Sequence, residues 1–172
     1  MTQELFDLKQ SILEGRYEDV LNLVDELEGM SQQAILHNIE SYLIRLIVHL
    51  LKKQIENRLT NYWVASISDS ILKIKKLNLK DNKVSYYIKS DEWQPFLEEA
   101  IEAAIAPTSV EALNGQLTPM QLSERIDRNQ IMMMVQILLD LTYVYSAKEL
   151  PEIVNQSLAK LPGGQAWYKK GI

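Results

Sequence analysis

The 172-residue chain contains no cysteine, which removes disulfides, thiolate zinc sites and cysteine nucleophiles in one step. It has only two histidines, His37 and His49, so few metal-binding or general-base schemes remain open. The amino-terminal stretch MTQELFDLKQ is polar and acidic. A secretory signal needs a basic end followed by an apolar run, and none is present, so a cytoplasmic address is expected. The most apolar stretch, Ile131 to Tyr145, is interrupted by Gln136, Asp140 and Thr142. It falls short of the roughly 20 residues that span a bilayer, so it reads as a buried helix, and no membrane partner is expected. Nowhere do apolar and polar residues alternate long enough to argue for a sheet. Solenoid repeats, low-complexity segments, phosphate-binding glycine loops and zinc-protease or nucleophile motifs are also missing. The sequence names no reaction, and the chain reads as non-catalytic, with no cofactor.

A chain this long buries roughly 70% of the surface its unfolded form exposes, enough for one domain without a staple. The expected fold is all-α: a single-domain helical bundle over 1–172, of six to seven helices, with a long central helix at about 31–59. Leu5, Leu8 and Ile12 recur at helical spacing, and Gly15 suits a helix end. Tyr17, Val20, Leu21, Val24 and Leu27 mark a second helix that Gly29 would close. Ser31 would cap the third, which is on the order of 40 Å long at 1.5 Å per residue. Its apolar positions cover most of its circumference, as expected at the centre of a bundle. Thr60 or Asn61 would cap a fourth helix ending near Leu77. The segment 78–89 reads as a loop that could hold a short helix at Val84 to Ile88. A fifth helix from Ser90 or Asp91 should end at Pro107, and a sixth should run from Pro119 to about Ser146 behind the Thr118-Pro119 start signal. Pro151 should begin the last, with the tail from Pro162 irregular. Residues 81–172 are thus a helical extension packed on 1–80.

The net charge of −5 is unevenly spread. Residues 1–30 hold eight acids and two bases, residues 31–89 four acids and ten bases, and residues 90–172 eleven acids and six bases.

Three short runs resemble one known family. Leu23 to Ser31, reading Leu-Val-Asp-Glu-Leu-Glu-Gly-Met-Ser, resembles the Glu-Glu-Ile-Glu-x-Met-Gly signature of the bacterial domain-of-unknown-function family number 29. His49-Leu50-Leu51-Lys52 resembles its His-Leu-Leu-Lys motif, and Trp63-Val64-Ala65-Ser66-Ile67 is similar to its Trp-x-x-Ser/Glu-Ile segment. The resemblance covers roughly the first 80 residues. It implies an all-helical fold and no particular activity, and it directs attention to Asp25, Glu26, Glu28, His49, Lys52 and Trp63.

Three functional readings follow. The first is a protein-interaction or assembly module, with a protein partner or a homo-oligomer. Its possible interface is Met132, Met133 and Met134, since flexible methionines suit adaptable contacts. The second is nucleic-acid association through Lys52, Lys53, Arg58, Lys73, Lys75, Lys76, Lys80 and Lys83, interleaved with Tyr62, Trp63, Tyr86 and Tyr87. Lysines would meet phosphates and aromatics would stack on bases, although the chain as a whole is acidic. The third is a metal-dependent or hydrolytic site near Glu28, His37 and His49, which lacks the Glu-x-x-His spacings of bundle metal sites. The first is favoured.

Overall fold

The computed structural model describes residues 2–170, and these are all-α: eight helices, one of them 40 residues long, and no strand among them. The chain divides into two compact units, Met1–Asn38 and Ile39–Ile172.

The first unit is a helical hairpin. Helix α1, Thr2–Leu13, is followed by a turn in which Gly15 takes φ 70° and the Arg16 N–H reaches the Ser11 carbonyl at 3.0 Å. Helix α2 begins at Tyr17 and continues to Glu56. Its first half belongs to this unit. The expected break at Gly29 and Ser31 is absent, and one helix replaces two. A glycine inside a helix costs about 1 kcal/mol, whereas a break leaves up to four donors and four acceptors without intrahelical partners. Continuing the helix is the cheaper choice.

The second unit builds its core on the second half of α2, where Ile39, Leu43, Leu46, Ile47, Leu50 and Leu51 are wholly buried. By length and composition α2 alone among the described helices could cross a membrane, yet this apolar run is what the fold covers. Helix α3, Asn61–Asn78, is capped by Thr60, whose hydroxyl accepts from the Trp63 N–H at 3.1 Å. Helix α4, Gln94–Glu111, passes through Pro107 instead of stopping there. The Thr108 hydroxyl donates to the Ala104 carbonyl and the Ser109 hydroxyl to that of Ala106, each at 2.7 Å. These side chains supply donors to the turn that proline deprives of one. A single 3-10 turn, Ala112–Gly115, carries Leu113 and Asn114 in left-handed conformation.

The expected sixth helix is two. Helix α5, Pro119–Arg125, opens with a Thr118–Gln121 capping box, and α6, Arg128–Val144, is capped anew by Asp127. The Gln54 side chain fixes the break, accepting from the Asp127 N–H at 2.9 Å and donating to Gln130 at 2.6 Å. Helix α7, Leu150–Ala159, packs on α3 and α6. The tail, expected to be irregular, forms α8, Gly164–Lys170, tied down by the Trp167 indole donating to Asn61 at 2.8 Å. The loop 79–93 holds no helix at Val84 to Ile88. It is closed by a Leu79–Tyr86 bridge and by the buried Asn78.

Candidate functional site

On α2 the spacing Arg45, His49, Lys52, Glu56 (i, i+4, i+7, i+11) lays one polar stripe along the second half of the helix. Facing it are Tyr62, Trp63, Ser66 and Asp69 of α3 and Glu111 at the end of α4. Lys52 is buried, pairs with Glu111 at 2.9 Å and lies 4.8 Å from the centre of the Trp63 ring. Arg58 covers the same ring at 4.7 Å and pairs with Glu56 at 2.9 Å. Two cations thus lie over the Trp63 ring, and both have carboxylate partners. Arg45 donates from Nε to the Ser66 hydroxyl at 2.8 Å and reaches Asp69 at 3.5 Å.

His49 is 6% exposed. Its Nδ1 is buried without a hydrogen-bond partner, and the Tyr62 ring stands edge-on at 5.9 Å. Burial first, then the charges of Lys52 and Arg45, opposed by Glu111, push the imidazole down from 6.5 to about 4. A ring that is neutral at physiological pH can donate or accept a hydrogen bond. It is too weak a base for efficient general-base catalysis near pH 7.

Two cavities flank the Lys52–Glu111 pair. One, of about 330 Å³, is walled by Arg45, His49, Tyr62, Glu111 and the apolar Ile44, Val48 and Pro107. The other, of about 390 Å³, lies against Lys52, Arg58, Trp63 and the left-handed Leu113–Asn114 turn.

Of the residues singled out in the sequence, His49, Lys52 and Trp63 come together here. Asp25, Glu26 and Glu28 lie in the other unit, exposed on the first half of α2. Glu28 and His37 stand nine residues apart on that helix, about 13 Å of rise, and no group of three His, Asp or Glu among the described residues is placed to hold a metal. Arg45, Glu56 and Glu111 were not singled out. The four-and-three spacing of polar residues would have given the first two, but nothing local marks Glu111. The methionine run splits: Met134 is 5% exposed and packs in the core, whereas Met133 is 63% exposed. The basic segment is largely engaged within the chain. Besides Lys52 and Arg58, Lys75 donates to the Thr142 carbonyl at 2.6 Å, Lys73 lies 3.9 Å from Asp69, and Lys80 lies over Tyr87 at 5.4 Å.

In the first unit the polarity is arranged differently. Asp7, Gln10, Ser11, Arg16, Asp19, Asn22, Leu23 and Glu26 line a polar groove along one side of the hairpin. Helical phase puts Leu5, Leu8 and Ile12 of α1, and Tyr17, Leu21 and Val24 of α2, on the side away from that groove. Ser11 is the one buried residue of this unit among those described. Phe6 and Leu13 are 62% and 72% exposed and lie off both sides by helical phase.

The family model described as "Domain of unknown function DUF29" matches residues 7–132. The match takes in α1 from Asp7 onward, all of α2 and every residue of the Lys52–Glu111 cluster, and it extends well past the first 80 residues. No curated protein and no solved structure matches the chain.

Proposed function

The chain belongs to the DUF29 family, and from that premise we propose that it is a protein-interaction and assembly module, joined to a second copy of itself through the hairpin of α1 and the first half of α2. The observation that carries this reading is the absence of any buried apolar residue among the described residues of that hairpin, although Leu5, Ile12, Tyr17 and Leu21 each leave at least half their surface open. Isolated helices this short are marginal in water and gain stability by packing an apolar face.

A second copy supplies such a face. Two hairpins stacked apolar side to apolar side form a four-helix bundle, and an isologous pairing closes without leaving a growing end. Leu5, Ile12, Tyr17 and Leu21 are 52–74% exposed, and with the half-buried Leu8 and Val24 they offer on the order of 500 Å² per copy, somewhat below the roughly 800 Å² per partner of a standard interface. The opposing factor is charge, since residues 1–30 carry eight acids and two bases. The groove acids Asp7, Asp19 and Glu26 lie on the far side of each hairpin. Exposed charges separated by more than about 10 Å are largely screened at 0.1 M salt, so apolar burial outweighs their repulsion.

The test is light scattering coupled to size-exclusion chromatography at 5 and 100 µM. A dimer that dissociates in the Leu5→Asp, Ile12→Asp double variant supports the reading. A wild-type monomer at both concentrations overturns it.

A further inference from the structure

The cavity between α2, α3 and the end of α4 has a composition that hairpin pairing does not use. We propose that it is a binding site for a small organic oxyanion, a carboxylate or phosphate carried on a compact apolar body, held by the Arg45 guanidinium and the Nε2–H of His49.

Four observations meet there. The volume, about 330 Å³, lies at the lower end of the range for small-molecule pockets. Arg45 is anchored through Nε to Ser66 at 2.8 Å and through one terminal nitrogen, at a long 3.5 Å, to Asp69. Its second terminal nitrogen has no hydrogen bond among the described residues, and guanidinium donors match oxyanion geometry. The third is the state of His49. Its Nδ1 is sealed from solvent with no partner, so the ring meets the cavity through its other edge. A sealed N–H is the rarer orphan in folded proteins, and a sealed lone pair the commoner. The proton therefore sits on Nε2, where the cavity can use it. Finally, Ile44 and Val48, next to the donors on α2, and Pro107 of α4 add apolar surface to the cavity wall, which suits the body of an organic acid better than a bare ion.

Charge favours the same ligand class. The groups facing His49 are Arg45 and Lys52 from α2, Tyr62 from α3 and Glu111 from α4. Lys52 neutralises Glu111 at 2.9 Å. Asp69 is shared between Arg45 at 3.5 Å and Lys73 at 3.9 Å, so these three groups keep one positive charge in excess, and an anion entering here meets a cation and a neutral donor.

An anion beside the imidazole stabilises its charged form, and by linkage protonation of His49 tightens the anion's binding by the same factor. With only two histidines, both rings can be followed in one NMR titration of the full chain, and the exposed His37 in the other unit serves as the internal control. The titration is run in 50 mM inorganic phosphate, trifluoroacetate or heptafluorobutyrate, anions that stay charged through the His49 transition, each against sodium chloride of equal ionic strength. The expected result is a rise of the His49 midpoint by about one unit, a tenfold change in proton affinity, in at least one of the three, with His37 unmoved. Phosphate alone acting identifies a phosphate ligand. Trifluoroacetate and heptafluorobutyrate acting, the latter more strongly, identifies a carboxylate with an apolar body. Arg45→Met should remove the rise, and Arg45→Lys, which keeps the charge without the fork, should retain only part of it. If no anion moves His49 beyond chloride, or if His37 moves equally, the site does not bind oxyanions and the proposal is overturned.

Discussion

Asn78 completes the backbone of Ile88: its amide donates to the Ile88 carbonyl at 2.8 Å, and its carbonyl oxygen accepts the Ile88 N–H at 2.8 Å. The Tyr143 hydroxyl donates to that same Ile88 carbonyl at 2.6 Å and accepts from the Trp93 indole at 2.7 Å. One buried asparagine at the end of α3 thereby fixes the loop that leads into α4. Removing it strands a buried N–H and weakens the satisfaction of a carbonyl, each costing about 1–3 kcal/mol. Asn78→Ala should destabilise the protein by roughly 2–4 kcal/mol in urea unfolding, and Asn78→Asp should rescue only the acceptor half. A loss below about 0.5 kcal/mol would mean that the loop is held by other contacts.

The buried imidazole of His49 gives a pH dependence of defined sign. Its folded value, about 4, lies below the unfolded 6.5, so the unfolded chain binds a proton that the folded chain refuses. The stability associated with the neutral ring is present above pH 6.5 and declines as the pH falls from 6.5 towards 4. Below that the slope from this group vanishes. The ceiling is about 3 kcal/mol at 1.36 kcal/mol per unit, reduced where solvent reaches the open edge of the ring. Urea unfolding at pH 7.5, 6 and 5 should show this decline in the wild type and a shallower one in His49→Gln. Parallel curves would place the acid sensitivity elsewhere.

Lys53 shows the opposite economy. It is 3% exposed, makes no ion pair or hydrogen bond among the described residues, and is held below the usual lysine range by burial. Burying a charge without a partner is costly, and an apolar side chain of similar length avoids that cost. Lys53→Met should raise the melting temperature by several degrees, whereas Lys52→Met, which leaves Glu111 without its partner and removes one cation from Trp63, should not. Calorimetry of the two variants side by side makes the comparison.

At the carboxyl end the constraint is steric. A Cβ on Gly164 would lie within contact of the Leu158 carbonyl oxygen, far closer than real Cβ atoms come. Since both atoms are near the backbone, the chain itself must shift. Gly164→Ala should therefore lift α8 and break the Trp167–Asn61 hydrogen bond. The outcome is a red-shifted Trp167 emission with nearly unchanged helical circular dichroism. Unchanged emission would show that α8 accommodates the methyl group by other means.

The all-α class was legible because every long segment has helical spacing and none alternates. So were the caps at Thr60 and Thr118 and the turn at Gly15, where local chemistry decides the outcome. The places where reading failed are those where local signals compete with distant ones. Gly29 and Ser31 look like an end and a start, but the cost of two helix termini outweighs one glycine. Pro107 looks like a stop, but the Thr108 and Ser109 hydroxyls add hydrogen bonds to the Ala104 and Ala106 carbonyls beside it and hold the turn. Asp127 is a cap signal lost in the mostly polar stretch Ser123 to Gln130, and the partner that fixes the break, Gln54, is 73 residues away. The candidate site is similar: His49, Lys52 and Trp63 stand out in the sequence, whereas Glu111, 59 residues from Lys52, is brought in only by the fold.

The hairpin makes a prediction whose sign separates two kinds of partner. If its apolar side pairs with a second copy, each hairpin brings an excess of acids, and added salt screens their repulsion while leaving apolar burial intact. The dimer should then tighten between 50 and 300 mM sodium chloride, and neutralising Asp19 and Glu26 to Asn and Gln should tighten it at low salt. If the hairpin instead seats on a basic partner, association driven by opposite charges weakens over the same range. Sedimentation equilibrium at the two salt concentrations measures the difference directly. Self-association that strengthens with salt and is lost in Leu5→Asp, Ile12→Asp fits pairing through the apolar sides. A wild-type chain that stays monomeric at both salts, or a dimer that loosens with salt, removes that pairing and points to a basic partner.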